Sequence, residues 1–510
     1  MLIAAVDIGT SGTRALLFDD ARFTGVAVAV EYALVTPAPG AAELDPAEVF
    51  AAFVHCLRGL AQDAPGPIEC VALSAAMHSL LAVDAGGKPL MHAHTWADNR
   101  PARVAATLRA TSDAPALYAE TGVPIHPMSP LAKLLWLRAA APDVHAGAAK
   151  FVSLKEWVCH RLFGRWVVDD GIASASGLYG LAARDWSARA LGIAGIGADR
   201  LSRVARGETL LRLTDAGAAR TLGLAVGTPF VLGGSDGCLA NLGAGLLAGE
   251  ARRRAVLTIG TSGALRMAVD RPAPDAAMRT FCYALGERQF VIGGATNGGG
   301  LPLRWLRDRF PAFVAGRAAP GTDPYEALTA LAQTAPAGAG GLLFHPYLAG
   351  ERAPLWNADA RASFIGLHAG HGPAHLVRAV MEGVLFNLGL VLDVLEELAG
   401  GPVEEIVAGG GFARSAFWLQ MAADLLGRPL VVAENPETTA QGAALLALAA
   451  TGRARDLAAA TAMLPGNGRR VVPDAATHAR YRALAPIFAG LPATLAPAYA
   501  GLAAFQNDTR

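Results

Sequence analysis

Cysteine is scarce and scattered in this sequence. Five cysteines occur among 510 residues, at positions 56, 70, 159, 238 and 282, and no two of them form a CxxC pair. An odd number of isolated cysteines argues against a disulfide framework. We therefore expect a reduced, cytoplasmic environment in which the thiols pack as small hydrophobic groups.

Net charge and long apolar runs are also missing. Lysine and arginine number 43 and so do aspartate and glutamate, which gives no reason to expect nucleic acid or an anionic membrane as a partner. No uninterrupted apolar run reaches the roughly 20 residues that span a bilayer. The N-terminus, MLIAAVDIGT, has no basic segment and reaches an acid at Asp7, so it does not read as a signal peptide.

The chain does contain a large internal repeat. The pentapeptide IGTSG occurs at residues 8–12 and again at 259–263, both times between apolar segments typical of strands. A chain of 510 residues is too long for one hydrophobic core. The repeat therefore predicts two domains of similar α/β plan, at residues 1–244 and 245–510.

Other segments have clear helix or strand patterns. Residues 46–60 have the apolar spacing of a helix, and 69–73, 80–84 and 230–232 are typical of strands. A strand, a glycine turn and a helix over 416–426 follow in EEIVAGGGFARSAFWLQMAADLLG. The chain beyond about residue 455 allows no firm prediction.

A Gly-Thr-Ser-Gly turn between strands offers backbone N–H groups and two hydroxyls, which together suit a phosphate group. Asp7, at the end of the first strand, could hold Mg²⁺ directly or through water, or could simply cap the following turn. Two such turns facing each other across a cleft would hold one polyphosphate, whereas either turn alone is more simply an ordinary hairpin. Two other nucleotide-binding motifs are absent from the sequence, which has no GxxxxGK[ST] segment and no GxGxxG segment after a strand.

At this point the chain resembles the FGGY family of carbohydrate kinases over nearly its whole length. The segments that carry the resemblance are DIGTSGTR, LTIGTSGALR, GGSDG at 233–237, GGATNGGG at 293–300, AGGGFARSAFWLQMAADLLG, FHPYLAGERAPLWNADARASFIGL and ETTAQGAALLA. The resemblance implies two ribonuclease-H-like α/β domains of the actin-like ATPase fold around a deep cleft. It implies that the N-terminal domain mainly binds sugar, that the C-terminal domain mainly binds ATP with Mg²⁺, and that the domains close on substrate.

Within the family, four segments look most like gluconate kinases: SAAMHSLLAVD, HTWADNR, TGVPIHPMSPLAKLLWL and GGSDGCLANLG. Xylulose kinases share the plan, but they more often have glycine where this chain has Ser79. The expected reaction is phosphorylation of a terminal hydroxyl, with D-gluconate as the favoured substrate and D-xylulose as the alternative.

Asp236, in GGSDG, is the expected catalytic residue, because a sugar hydroxyl that attacks a γ-phosphoryl group needs a proton acceptor. We expect it in a glycine-flanked turn after the strand at 230–232, where an aspartate could also serve only to shape the turn. Asp236 is expected to contact the sugar as well.

The resemblance also assigns binding residues. For the nucleotide these are Thr10, Ser11, Gly12, Gly260, Thr261, Ser262, Gly299, Gly300, Gly409, Gly410, Arg414 and Ser415. Gly299 and Gly300 could equally be plain loop glycines, and Arg414 and Ser415 stand where the family often has asparagine. Asp7 is the expected metal residue.

For the substrate we expect contacts from Met77, His78, Trp96, Asp98 and Arg100. Arg100 could bind a carboxylate through two hydrogen bonds, which favours a sugar acid. Alternatively, His78 is a core histidine, and Asp98 with Arg100 forms a surface ion pair of small energetic value.

Several other interpretations stay open. The close-spaced histidines at 368, 371 and 375, and at 92 and 94, could bind zinc, although neither group has a nearby cysteine or an HExxH motif. A partner-binding, actin-like ATPase and a sugar-binding transcriptional regulator are the alternatives from other classes. The resemblance further implies a homodimer.

Overall fold

The structure is a computed structural model, which describes residues 1–248, 253–313, 323–432, 437–464 and 468–508. In chain order, its strands are β1 Leu2–Ile8, β2 Gly12–Asp19, β3 Arg22–Glu31, β4 Glu43–Leu44, β5 Cys70–Ala75, β6 Leu81–Val83, β7 Ala93–His94, β8 Lys150–Val152, β9 Val167–Asp169, β10 Tyr179–Gly180, β11 Asp185–Trp186, β12 Arg203–Ala205, β13 Leu210–Arg212, β14 Pro229–Ser235, β15 Arg254–Ile259, β16 Gly263–Val269, β17 Phe281–Ala284, β18 Phe290–Thr296, β19 Leu343–His345, β20 Ser363–Ile365, β21 Glu405–Gly409, β22 Leu430–Val432 and β23 Arg470–Val471.

The α-helices lie between these strands and after them. They are α1 Pro46–Asp63, α2 Ala102–Arg109, α3 Ala114–Thr121, α4 Pro130–Ala140, α5 Pro142–Gly147, α6 Leu154–Phe163, α7 Asp170–Ser174, α8 Ala188–Ala194, α9 Ala216–Leu222, α10 Asp236–Gly243, α11 Leu301–Arg309, α12 Pro324–Gln333, α13 Pro373–Ala399, α14 Ala416–Leu426, α15 Thr438–Ala450, α16 Leu457–Thr461 and α17 Ala475–Asp508.

The chain packs as two compact units, and neither unit is one continuous segment. The first contains Met1–Glu250, Ala268–Ile292 and Glu437–Gly466. The second contains Ala251–Met267, Gly293–Pro436 and Asn467–Arg510. The chain therefore crosses from one unit to the other several times, whereas the sequence analysis predicted a single boundary at residue 244.

The first unit is built on a six-stranded sheet in the order β13-β14-β5-β1-β2-β3. β1 pairs antiparallel with β2 and parallel with β5, and β5 pairs parallel with β14. β1 and β5 are almost wholly buried, as expected for central strands with apolar residues on both faces. The carboxyl ends of β1, β5 and β14 therefore lie at one edge of this sheet.

The second unit repeats this pairing. β15 pairs antiparallel with β16 and parallel with β21, and β21 pairs parallel with β22. β23 pairs antiparallel with β22 at the far side. In both units, then, an IGTSG hairpin joins the first two strands, and a later strand lies parallel to the first of them.

The local predictions from the sequence are largely confirmed. The expected helix at 46–60 is α1, whose N-cap Asp45 accepts a hydrogen bond from Ala47 N. The expected helix at 416–426 is α14. One detail was wrong, because Asp236 does not lie in a turn but is the first residue of α10.

Helices α10 and α15 pack unusually closely within the first unit. A Cβ atom at Gly442 would collide with the carbonyl oxygen of Leu239, and one at Gly243 would collide with that of Thr438. α15 is buried from Ala440 to Leu448. The helix that begins at Asp236 is therefore supported by a helix about 200 residues later in the chain.

The C-terminal region, for which the sequence allowed no prediction, forms the long helix α17. Within the described residues, its segment Ala475–Gln506 alone is long and apolar enough to cross a membrane by length and composition. One such helix is weak evidence for a membrane protein. This one contains Pro486, Pro492 and Pro497 and buries Tyr481, Phe488 and Tyr499.

Candidate active site

The predicted catalytic residue, Asp236, lies where β14 ends and α10 begins. Its Oδ1 accepts hydrogen bonds from its neighbour Gly237 N at 2.7 Å and from Met77 N at 3.4 Å. A carboxylate at a helix N-terminus is stabilised by the helix dipole. Two amides thus fix the orientation of this carboxyl group, and the second comes from a predicted substrate residue.

Asp7 is held nearby at the same edge of the sheet. It is the sixth residue of β1 and pairs with Ser74 of β5, which in turn pairs with Gly234 of β14. Its Oδ1 is buried and makes no well-formed hydrogen bond among the described residues, although the nearby Ser74 hydroxyl partly offsets the rise in its pKa. Burial, together with the negative charge of Asp236, raises the pKa of Asp7 to about 6.

The first IGTSG turn is tied to the protein by two aromatic residues. Gly9 N donates to Gly12 O at 3.0 Å, which closes the turn, and the Tyr32 hydroxyl donates to Gly9 O at 2.7 Å. Trp96 Nε1 donates to Thr10 Oγ1 at 3.0 Å. Ser11 is exposed. The turn is thus held at its base while its tip is open to solvent.

His78 has an unusual backbone conformation. Its φ is +69°, in the left-handed region that residues with a side chain seldom adopt. Its Nδ1 donates to Ala175 O at 2.8 Å, and its own carbonyl accepts a hydrogen bond from Lys133 Nζ. Strain of this kind is found preferentially at functional sites.

Arg100 is already engaged by acids of the protein. Its Nε and one Nη donate to Asp98, and the same Nη donates to Glu43 Oε1 at 2.6 Å. Its guanidinium lies 4.6 Å from the centre of the Trp136 ring. A ligand carboxylate can therefore reach only the other Nη without displacing Asp98 or Glu43, and a two-point contact through Nε is not available.

Asp98 and Arg100 belong to a buried group of charges rather than to a surface pair. Asp98 is fully buried, and burial lowers the pKa of the enclosed Lys133 to about 7. Burial, aided by the charge of Arg100, lowers the pKa of His94 to about 3, so this imidazole is neutral. The sequence had singled out neither Glu43 nor Lys133, because their contacts depend on residues far away in the chain.

The buried group of charges around Asp98 includes one of the histidines that could bind zinc. Glu43, His94 and Asp98 offer ligand atoms within 4.8 Å of one another, and no other such group occurs among the described residues. Arg100 already supplies the positive charge between the two carboxylates. The histidines at 368, 371 and 375 instead each accept a local backbone N–H through Nδ1.

In the second unit, the IGTSG turn contacts the loop that contains Gly299 and Gly300. Gly299 N donates to Thr261 O at 3.2 Å and Gly300 N to Gly260 O at 2.6 Å. A Cβ atom at Gly299 would collide with the backbone of Ser262. Gly260, Thr261 and Ser262 are exposed. This loop ends where α11 begins, so the backbone N–H groups of a turn and a helix N-terminus lie close together.

Gly410 packs against the strand that leads into the same turn. Its φ is +90°, and a Cβ atom there would lie 2.6 Å from Ile259 O. Its neighbour Gly409 pairs with Thr258. Ser415 caps α14, since its Oγ accepts from Trp418 N at 3.3 Å, while Arg414 is exposed. Of the predicted adenosine residues, Gly409 and Gly410 are thus placed beside the turn.

A buried acid that the sequence did not single out holds the glycine loop in place. Glu351 Oε1 accepts from Asn297 N and Arg352 N, and Oε2 accepts from Asn387 Nδ2 at 2.9 Å. Arg352 Nε donates in turn to Asn297 Oδ1 at 2.8 Å. The GERAP segment therefore fixes the residue that precedes the three glycines at 298–300.

Comparison with known proteins finds a family match for both parts of the chain. The FGGY family of carbohydrate kinases matches with its N-terminal domain at residues 2–243 and with its C-terminal domain at 255–451. The chain belongs to the FGGY family of carbohydrate kinases, and its fold is the two-domain α/β fold of that family. It is accordingly an ATP-dependent sugar kinase.

Individual relatives cover nearly the whole chain. The sequence is 41% identical over 504 residues to a gluconokinase of Bacillus subtilis (strain 168), covering 98% of each chain. Two solved structures from Lactobacillus acidophilus, a gluconate kinase and a ligand-bound xylulose kinase, each have a TM-score of 0.91 and 31% identity. Each match covers 98% of this chain and 99% of the other.

Proposed function

We propose that this kinase transfers the γ-phosphoryl group of ATP to the terminal hydroxyl of D-gluconate, which gives 6-phosphogluconate. The observation that carries the proposal is the 41% identity to a gluconokinase over 98% of both chains. Asp236, held by Gly237 N and Met77 N, supplies the proton acceptor that the reaction needs.

In this mechanism Asp236 orients the sugar hydroxyl and accepts its proton as the bond to phosphorus forms. The increase in reaction rate comes mainly from the position of the sugar hydroxyl, because phosphoryl transfer depends on alignment and charge stabilisation more than on covalent chemistry. Met77 contributes its backbone amide to the carboxylate, and His78 and Trp96 lie in the first unit to bind the polyol. Asp98, predicted to contact the sugar, is fully buried and orients Arg100 instead.

Mg²⁺ bound with ATP would offset the negative charge of the phosphates. Asp7 fits this ion, because its buried Oδ1 makes no well-formed hydrogen bond among the described residues. The raised pKa of Asp7 and its suitability for a cation have one cause. A buried carboxylate beside the negative charge of Asp236 is stabilised when it binds either a proton or a cation. We assign Asp7 to hold the ion directly or through water.

We assign phosphate binding, through backbone N–H groups and hydroxyls, to the IGTSG turn of each unit. The residues are Thr10, Ser11 and Gly12 in the first unit and Gly260, Thr261 and Ser262 in the second. The exposed tips of both turns support this role. Gly299 and Gly300 contribute further N–H groups, and Gly409 and Gly410 allow the ribose or adenine to approach the backbone.

Gluconate differs from xylulose in its carboxylate, so the proposal needs a cationic contact. One Nη group of Arg100 has no acid partner among the described residues, which suits a single hydrogen bond to a carboxylate oxygen. The alternative, D-xylulose as substrate, is favoured by the solved xylulose kinase with the same TM-score.

We expect the enzyme to act in the cytoplasm as a homodimer, without nucleic-acid or membrane partners.

The test is an ADP-release assay with Mg-ATP against D-gluconate, D-xylulose, L-ribulose, glycerol and no sugar. We expect turnover with gluconate and little with the neutral sugars. Turnover with xylulose alone would replace the substrate but leave Asp236 in its role. ATP hydrolysis that ignores every sugar would favour a partner-binding ATPase instead.

A further inference from the structure

A β-bulge immediately precedes Asp236. Between Val231 and Gly234, β14 advances three residues while β5 advances two, from Ala72 to Ser74. Bulges insert one extra residue, and near active sites they redirect a side chain. Without the extra residue, every side chain after it would move to the opposite face of the strand.

The bulge sets the alignment of Asp236 with the rest of the site. After it, Gly234 pairs with Ser74, which pairs with Asp7 on the next strand. Asp236 follows Gly234 by two residues. The position of the catalytic carboxylate relative to Asp7 and to Met77 N therefore depends on this one irregularity.

Lys155 stabilises the bulge through two hydrogen bonds to its carbonyl groups. This lysine lies on α6, and its Nζ donates to Leu232 O at 3.1 Å and to Gly234 O at 3.0 Å. These two carbonyls stand on either side of Gly233, whose φ is +80°. A Cβ atom at Gly233 would collide with Leu73 O, so the backbone here has little freedom.

The lysine is itself fixed by an ion pair that is wholly enclosed. Its Nζ pairs with Asp169 Oδ2, and the two side chains are 1% and 0% exposed. Asp169 Oδ1 accepts from Ile172 N at 2.8 Å, which caps α7. Replacing a buried ion pair with apolar residues often costs a protein little stability, so stability alone is a weak reason for this pair.

We propose that Lys155 is a positioning residue for phosphoryl transfer, which acts by holding the bulge at Leu232–Gly234 and so fixing where Asp236 stands. This inference rests on the proposed function, since it takes Asp236 as the catalytic base. It predicts an effect on kcat, because a displaced base slows the chemical step, whereas ATP binds mainly through the second unit.

The experiment compares Lys155→Met, the double variant Lys155→Met/Asp169→Asn, and Arg378→Met. The double variant removes both charges but keeps the cap of α7, so it remains informative if the single variant does not fold. Arg378 is a matched control, because it is also buried, pairs with Glu382 and donates to the Ala335 carbonyl, but lies in the second unit.

We expect kcat to fall at least tenfold in both Lys155 variants, with KM for ATP within about threefold of wild type, and no such fall in Arg378→Met. Wild-type kcat in the double variant, or an equal loss in the control, would overturn the proposal. A crystal structure of the double variant separates this proposal from the assigned reaction, since an intact bulge would refute the role of Lys155 whatever sugar the enzyme uses.

Discussion

Trp96 donates a hydrogen bond from its indole Nε1 to the hydroxyl of Thr10. The first residue was expected to bind sugar and the second to bind phosphate, and they are 86 positions apart in the chain. The indole is 44% exposed, so it can contact a ligand with its ring while its nitrogen holds the turn. A residue predicted to bind the sugar and a residue predicted to bind phosphate are thus joined directly by a hydrogen bond in the first unit.

Asp236→Asn should lower kcat by about 10²- to 10⁴-fold, the usual contribution of a general base. The asparagine oxygen can still accept from Gly237 N, so the backbone should keep its position. ATP affinity, measured by calorimetry, should stay close to that of wild type. The matched control is Asp270→Asn at an exposed position, and near-normal turnover in Asp236→Asn would remove the assignment.

Arg100→Ala should raise KM for gluconate about tenfold or more, the loss of one charge-assisted hydrogen bond of ~1.5 kcal/mol or more. KM for a neutral sugar should change much less. Because Glu43 and Asp98 lose their shared partner, thermal stability should fall too. Arg100→Lys, which keeps a charge but not the planar geometry, controls for that loss. Equal effects on charged and neutral substrates would contradict a carboxylate contact.

The pH dependence of stability should expose the raised pKa of Asp7. The pKa is about 6 in the folded protein against 3.8 for the ordinary group, so the folded state binds the proton more tightly. The stabilising contribution of that proton is complete below pH 3.8 and is lost as the pH rises through about 6. Above that pH the carboxylate should cost up to ~3 kcal/mol of stability.

Asp7→Asn should therefore melt at a higher temperature than wild type at about pH 8, with the difference shrinking toward about pH 4. Melting is measured without Mg²⁺ or ATP, since either would stabilise the charged form. Asp270→Asn should show no comparable gain. A variant that is less stable than wild type at the higher pH would mean that the carboxylate contributes favourable contacts instead.

Gly299→Ala should raise KM for ATP by about tenfold or more while the protein stays folded. The added methyl group meets the backbone of Ser262, which cannot move aside without displacing the second IGTSG turn, to which we assign phosphate binding. Gly490→Ala, on α17, is the control, because it is exposed and a Cβ atom there has no heavy atom within 4 Å. Equal KM values for the two variants would show that the turn does not bind ATP.

Features that depend on local pattern could be predicted from the sequence. Both IGTSG hairpins and helix α14 form where the sequence indicated, because apolar runs, glycine turns and caps act over a few residues. The placement of Asp236 as a helix start could not be predicted, since GGSDG also suits a turn.

The roles of Lys155 and Glu351 could not be predicted from the sequence, for a different reason. Lys155 contacts carbonyls 77 and 79 positions away, and Glu351 contacts an amide 54 positions away. Neither residue stands in a pattern that distinguishes it from an ordinary helix or loop charge. Their roles follow from tertiary packing, which a single sequence does not encode locally.

The close packing of α10 against α15 has a consequence for synthesis of the protein. The first unit lacks its closing helices until the ribosome has passed Glu437, about 190 residues after Glu250, which at about 5–20 residues per second takes on the order of 10–40 s. During that time the apolar face of α10 has no partner from α15. A fragment that ends near residue 243 should consequently be a poor substitute for the first unit. A chimaera between two relatives should therefore take residues 268–292 and 437–466 from the same parent as the N-terminal segment.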